Sequence, residues 1–265
     1  ISTRCILSAN RGELPQTAPL ATEIVMDLTD RQKNLLRAII EKYIETAEPI
    51  GSETIEKEAS LGVSPATIRN EMVKLTSLSY LKQPHTSAGR IPTSMGMKFY
   101  VDQLMQEKAL SLKDEVAIKE ELVEGEERFD KLLRHTARVL ADQTRSLAIA
   151  TDEEGDVYAA GMANILDMPE FYDIDITKTV LSMLDRAEMI NQITGALSPE
   201  DQIKILFGEE LGVPYLEPCG FVIIRYHMPN HSGVLGVIGP SRLNFPVVIP
   251  TMRYFAQLLS EIGKI

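Results

Sequence analysis

Organised patterning begins at Leu28. Leu35, Leu36, Ile39, Ile40, Tyr43 and Ile44 recur at three- and four-residue spacing, one apolar stripe of a helix. Thr29 with Gln32 three residues on is a capping box that starts this helix, and Pro49 closes it. Ser52 is expected to cap a short second helix over 53–59, with Ile55 and Ala59 on one face, and Gly62 marks a turn. Ser64-Pro65 starts a third helix, because proline has no N–H to lose at the first helical position. Ile68, Met72 and Leu75 face inward along it to Leu78. Three helices with a tight turn between the second and third spell helix-turn-helix. Tyr80–Gln83 and Arg90–Thr93 read as short strands around the turn-rich Pro84–Gly89, which makes a wing. Ser94 is expected to cap a further helix to Met105, with Phe99, Val101 and Leu104 partly buried.

Residues 110–145 are charged and helical, with Val116, Leu122, Phe129, Leu133 and Leu140 spaced for one buried seam. Beyond them strands and helices alternate. Leu147–Thr151 and Ile203–Phe207 read as strands, and Thr177–Ile193 as a helix. Phe221–Tyr226 and Val234–Ile238 flank the hairpin signal Pro229-Asn230-His231-Ser232-Gly233, and a helix over Val247–Ile262 closes the chain. The chain is therefore expected to be α+β. It has a winged helix-turn-helix domain over 27–108, a helical linker over 109–145 and a C-terminal α+β domain over 146–265. Residues 1–26 lack periodicity and hold Gly12, Pro15 and Pro19. They are expected to be disordered, or to precede a true start at Met26.

Composition sharpens this picture in three places. No run approaches the ~18–20 apolar residues of a membrane helix, and no signal-like block opens the chain, so a cytoplasmic protein off the membrane is expected. Cys5 and Cys219 make neither a disulfide framework nor a zinc site, and no metal or cofactor is expected. The net charge of −11 falls entirely in residues 109–265, because 27–108 carry 11 basic and 11 acidic residues. Within 60–100, Arg69, Lys74, Lys82, Arg90 and Lys98 face only Glu71, a local excess suited to phosphate.

The first turns of a recognition helix meet base edges in the major groove. The candidate DNA-binding residues there are Ser64, Pro65, Ala66, Thr67, Arg69 and Asn70. Thr67 offers a methyl and a hydroxyl, Asn70 a paired contact to adenine, and Arg69 a fork for guanine or phosphate. Arg90 at the wing tip suits a narrow minor groove, and Lys82, His85, Thr86 and Ser87 suit the backbone. Ser64-Pro65 is also an ordinary helix start, Arg69 and Glu71 also suit a solvated surface, and Gly89 a plain turn. The order of elements is the specific signal. Catalytic readings are weak: His227 and His231 fall on a hairpin, and Cys219 reads as a buried core thiol. Gly236–Pro240 lacks a phosphate-loop lysine and reads as a strand end and turn.

Leu28–Gln32, Glu48–Ser52, Leu61–Met72 and above all Gln83–Thr93 resemble the HrcA family of heat-inducible transcription repressors. Gly236–Pro250 is similar to that family's C-terminal signature, and Asn164–Leu166 with Pro169–Phe171 to a weaker block. The resemblance implies a non-enzymatic homodimeric repressor, with a winged helix, a GAF-like domain and an inserted dimerising segment. It implies binding to double-stranded DNA at an inverted repeat (CIRCE) upstream of heat-shock chaperone operons, and a GroE-type chaperonin partner that keeps the repressor active. Two departures stand out. The family's strands and insertion between Ala150 and Tyr158 are replaced by a few polar residues, and Ser79 stands where the family carries glycine. Two rival readings remain beside this one: a winged-helix protein-interaction module, and a repressor gated by a small ligand.

Overall fold

The computed structural model describes residues 28–59, 62–123, 128–195, 197 and 203–262. The expectations for 1–26 lie outside them. Helix α1 (Asp30–Thr46) starts at the Thr29/Gln32 capping box, where each side chain accepts the other residue's backbone N–H, at 3.3 and 3.0 Å. Its stripe Leu35, Leu36, Ile39 and Ile40 is fully buried. In α2 (Ser52–Glu58) the cap position belongs to Gly51 rather than Ser52, whose side chain is buried as the first helical residue instead. Ser64 caps α3 (Pro65–Ser77) by accepting the Thr67 N–H, and Ile68, Met72 and Leu75 face the core. The chain leaves α3 through Ser79 at φ 62°, the left-handed region that glycine enters without penalty.

The wing strands are shorter than expected: β1 (Leu81–Lys82) pairs antiparallel with β2 (Ile91–Pro92). Thr93, not Ser94, caps α4 (Ser94–Phe99). Its hydroxyl accepts the Gly96 N–H and donates to the Ser79 carbonyl at 2.6 Å, which ties the wing to the end of α3. The predicted helix to Met105 changes form after Phe99 into a π-helical turn, Tyr100–Leu104. Met97, Tyr100 and Leu104 are its buried positions, with Phe99 and Val101 half-buried.

The charged stretch forms α5 (Leu112–Val123) and α6 (Phe129–Thr144). Leu122, Leu133 and Leu140 are buried as expected, whereas Val116 is exposed and Ile118 takes the inward place. Read as a linker, this stretch in fact packs α6 onto the sheet that follows.

That sheet is antiparallel with order β4-β3-β7-β6-β5: β3 (Leu147–Thr151), β4 (Val157–Ala160), β5 (Ile203–Phe207), β6 (Cys219–His227) and β7 (Ser232–Pro240). Period-two alternation divides its side chains. Ala148, Ala150, Val222, Ile224, Leu235 and Val237 join the cluster under α6 and α11 (Phe245–Ile262). Leu147, Ile149, Phe221, Ile223 and Ile238 face α7 (Met162–Leu166), a 3₁₀ turn at Pro169–Tyr172, α8 (Ile174–Leu184) and α9 (Ala187–Thr194). The helix expected over 177–193 is therefore two. It breaks at Asp185–Arg186, which turns Ile190 and Ile193 back onto the cluster that holds Val180 and Met183. Helix α10 (Gly208–Leu211) follows β5.

Gly236 lies in β7 as the expected strand over 234–238 places it, and a Cβ there would come 2.7 Å from the Ile149 side chain; β7 runs on to Pro240, so the expected turn follows it. Where the resemblance places an insertion, the turn Asp152–Asp156 joins β3 directly to β4. It is closed by Asp152 Oδ1, which accepts the Glu154 and Asp156 N–H groups. Cys219 is a buried core thiol, its pKa pushed up to about 12 by burial.

Candidate nucleic-acid interface

Helix α3 shows one exposed stripe: Ala66, Arg69, Asn70, Val73 and Lys74. Its other side is locked down by Glu71. That residue is 9% exposed, not solvated surface, because Gln32 Nε2 and Lys74 Nζ both donate to its carboxylate, at 3.1 and 2.9 Å. The recognition helix is thereby tied to the cap of α1. Lys74, then burial acting in opposition, then Gln32 set the balance, which holds the Glu71 carboxyl below the usual carboxylate range. A lowered folded pKa gives stability that is full above the unfolded pKa and is lost as pH falls through the folded one. Acidification below about pH 4 should therefore lower the melting temperature more steeply in the parent than in Glu71→Gln. Parallel melting curves against pH for the two proteins would remove Glu71 from this role.

The wing loop is shaped from within. Gln83 Nε2 donates to the Thr86 and Ala88 carbonyls, at 3.0 and 2.9 Å, and the Ala88 N–H closes a turn onto the His85 carbonyl. His85, Thr86 and Ser87 stand exposed on this turn, with His85 Nδ1 3.2 Å from Ser87 Oγ. At its base, Ile50 and Arg90 exchange both backbone N–H···O bonds at 2.9 Å. Gly89 belongs to that contact and is more than a plain turn. Arg90 is accordingly not at the wing tip. It is half-buried at the base, and its Nε donates to Thr76 Oγ1 of α3 at 3.1 Å.

Recognition helix and wing together enclose a cleft of about 530 Å³, lined by Arg69, Met72, Val73, Thr86, Ser87 and Arg90 among others. None of its lining residues comes from beyond the wing, so the acidic C-terminal domain forms no wall of the cleft. The cap residue Ser64 and Pro65, Ala66, Thr67 and Asn70 of α3 lie outside the cleft lining. Thr67 Oγ1 is already 3.1 Å from Ser64 Oγ. Lys82 is not brought to this face. It lines a separate cleft of about 240 Å³ with Glu170, Glu209 and Glu217 of the C-terminal domain. Lys98 pairs with Glu210 and Lys74 with Glu71. The charge excess counted in the sequence therefore narrows to Arg69 and Arg90 at the cleft. Val73, 51% exposed and one helical turn from Arg69, was missed from the candidate residues. Its i, i+4 and i, i+7 spacing from Arg69 and Ala66 marks it on the same stripe.

No helix among the described residues is long and apolar enough to cross a membrane, and they hold no group of His, Cys, Asp or Glu arranged for a metal. Comparison with known proteins agrees with this architecture. Residues 27–106 match the family model of a winged helix-turn-helix transcription repressor, HrcA DNA-binding, and residues 97–249 match that of the HrcA protein C-terminal domain. The chain is 29% identical to the heat-inducible transcription repressor HrcA of Symbiobacterium thermophilum. That alignment of 339 positions covers 90% of this chain and 99% of the relative, so about 100 of its positions face a gap in the 265 residues. The corresponding repressor of Carboxydothermus hydrogenoformans is 28% identical, covering 89% and 98%. The crystal structure of a hypothetical protein at 2.2 Å resolution shares the fold, with a TM-score of 0.70, 18% identity and coverage of 89% and 99%. With both of its halves matched in order, the chain belongs to the HrcA family of winged-helix transcription repressors.

Proposed function

We propose that this protein represses heat-shock chaperone operons by binding an inverted-repeat, CIRCE-type DNA operator as a homodimer. A GroE-type chaperonin is its activating partner. The observation that carries the reading is the open cleft that places Arg69 of the recognition helix beside the wing residues Thr86, Ser87 and Arg90. One such cleft holds few cations. A useful specificity ratio therefore calls for two, spaced about one helical turn apart on a palindrome. The −11 charge of residues 109–265 repels a duplex and favours approach by the wing face.

A gel shift on the promoter of a chaperonin operon, at two salt concentrations and two temperatures, tests this. Affinity should fall with salt at a log–log slope of about −0.9 per neutralised phosphate, and fall again on heating. Salt-independent or undetectable binding would favour a protein-interaction module instead. Ligand gating has one observation in its favour, a cleft of about 750 Å³ between the two domains, lined by Glu41, Lys108, Arg145 and Arg242 among others. A ligand seated there would raise the melting temperature with its concentration.

A further inference from the structure

Two helix carbonyls, one near the end of α1 and one in the first turn of α11, are satisfied from a distant segment of the chain. At the end of α1 the Ile44 carbonyl has no helical partner, because the Glu48 N–H turns to Thr46 Oγ1. Arg242, from the loop after β7, donates to that carbonyl through Nη1 at 3.0 Å. Its Nε and Nη2 are held by both oxygens of Glu170, at 2.6 and 3.0 Å, and the two side chains are only 13% and 16% exposed. A guanidinium so forked has one orientation, and a cation at a helix C-terminus is favourable. The second contact arises from Pro250 inside α11. Proline has no N–H, so the Pro246 carbonyl four residues earlier loses its helical donor. The Lys108 N–H, in the segment that joins the winged helix to α5, takes it at 2.8 Å.

One apolar cluster runs through both domains, and the remaining polar links are weaker in kind. Lys98–Glu210, Ser94–Glu209 and Arg253–Glu107 lie at the surface, where ion pairs are screened and contribute little. Among the described residues no helix or strand of the winged helix packs lengthwise on the C-terminal domain, and clefts of about 750 and 240 Å³ flank Arg242 and Glu170. Apolar contact carries no direction, whereas a buried fork and a capped carbonyl do.

We infer that Arg242 and the Lys108 backbone form a two-point clamp that fixes the winged helix on the C-terminal domain, with Arg242 a positioning residue for DNA recognition. The clamp thereby sets the half-site spacing that two copies can reach. This last consequence rests on the proposed DNA-binding function. The matching sequence blocks Pro169–Phe171 and Gly236–Pro250 are thus the two parts of one contact.

Two full-length variants test the clamp. Pro250→Ala restores an N–H to α11 that competes for the Pro246 carbonyl without touching Arg242. Arg242→Lys keeps the charge and loses the fork. Trypsin cleavage after Lys108, followed by mass spectrometry, should rise about tenfold in each, since cleavage tracks the open population. In Pro250→Ala it should rise although the melting temperature does not fall, a combination that general destabilisation does not produce. On inverted repeats of stepped spacing, the parent should bind one spacing best. The variants should lose that preference while holding a single half-site within about twofold. Cleavage within about twofold of the parent in either variant overturns the two-point clamp. If the parent binds no duplex, the proposed function fails, and the cleavage ratio still decides the clamp.

Discussion

Replacing Gly89 with alanine should cost about 3 kcal/mol of folding stability and most of the DNA affinity, because the wing can no longer sit on the helix-turn-helix. A Cβ at Gly89 would lie 2.4 Å from the Ile50 carbonyl oxygen, 2.5 Å from its carbon and 2.8 Å from its nitrogen. All three are backbone atoms, so no rotamer change relieves the overlap. The chain must separate there, and the two Ile50–Arg90 backbone hydrogen bonds separate with it. Arg90 would leave Thr76, and Thr86 and Ser87 would leave the cleft they share with Arg69. Urea unfolding gives the stability term, and binding to operator and to unrelated duplex gives the rest. An unchanged midpoint would mean that the wing base does not hold Gly89 against Ile50.

Arg69→Ala should leave stability nearly untouched and weaken operator binding by about 1–3 kcal/mol per half-site, so about twice that for two copies on a palindrome. The residue is exposed and has no ion pair among the described residues, so truncation opens no cavity and strands no buried charge. What it removes is the fork at the mouth of the cleft. Discrimination at one base position in each half-site should relax, read by competition among operators that differ at single positions. A uniform loss over all sequences, with the salt slope reduced by about one unit, would make Arg69 a phosphate clamp and leave base reading to Asn70 and Val73.

The order and type of the elements were legible because they are local. The Thr29/Gln32 box, the Ser64-Pro65 start and the apolar stripes of α1 and α3 each lie within a few residues of one another, and the structure keeps these, whereas the seam over 110–145 exchanges Val116 for Ile118. Two helix starts moved by one residue, at Gly51 and Thr93, where a serine was buried or drawn to a distant carboxylate. The candidate site was half legible. Arg69, Thr86, Ser87 and Arg90 do converge, but the charge count overstated the patch. Nothing near Lys82 or Lys98 in sequence announces Glu209, Glu210 and Glu217, more than a hundred residues away.

By itself, then, the sequence determined the type of most segments, the start of α1 and α3 at their caps, and that a capped helix followed by a polar turn stands at the surface. These depend on propensity, capping and periodicity over short spans. Only the tertiary structure decided that Arg90 braces the wing at Thr76, that Gly89 must be bare to meet Ile50, and that Arg242 closes the end of α1. Each of those contacts satisfies a polar group or fills a space left open by a segment distant in the chain, and such demands exist only once the segments have met.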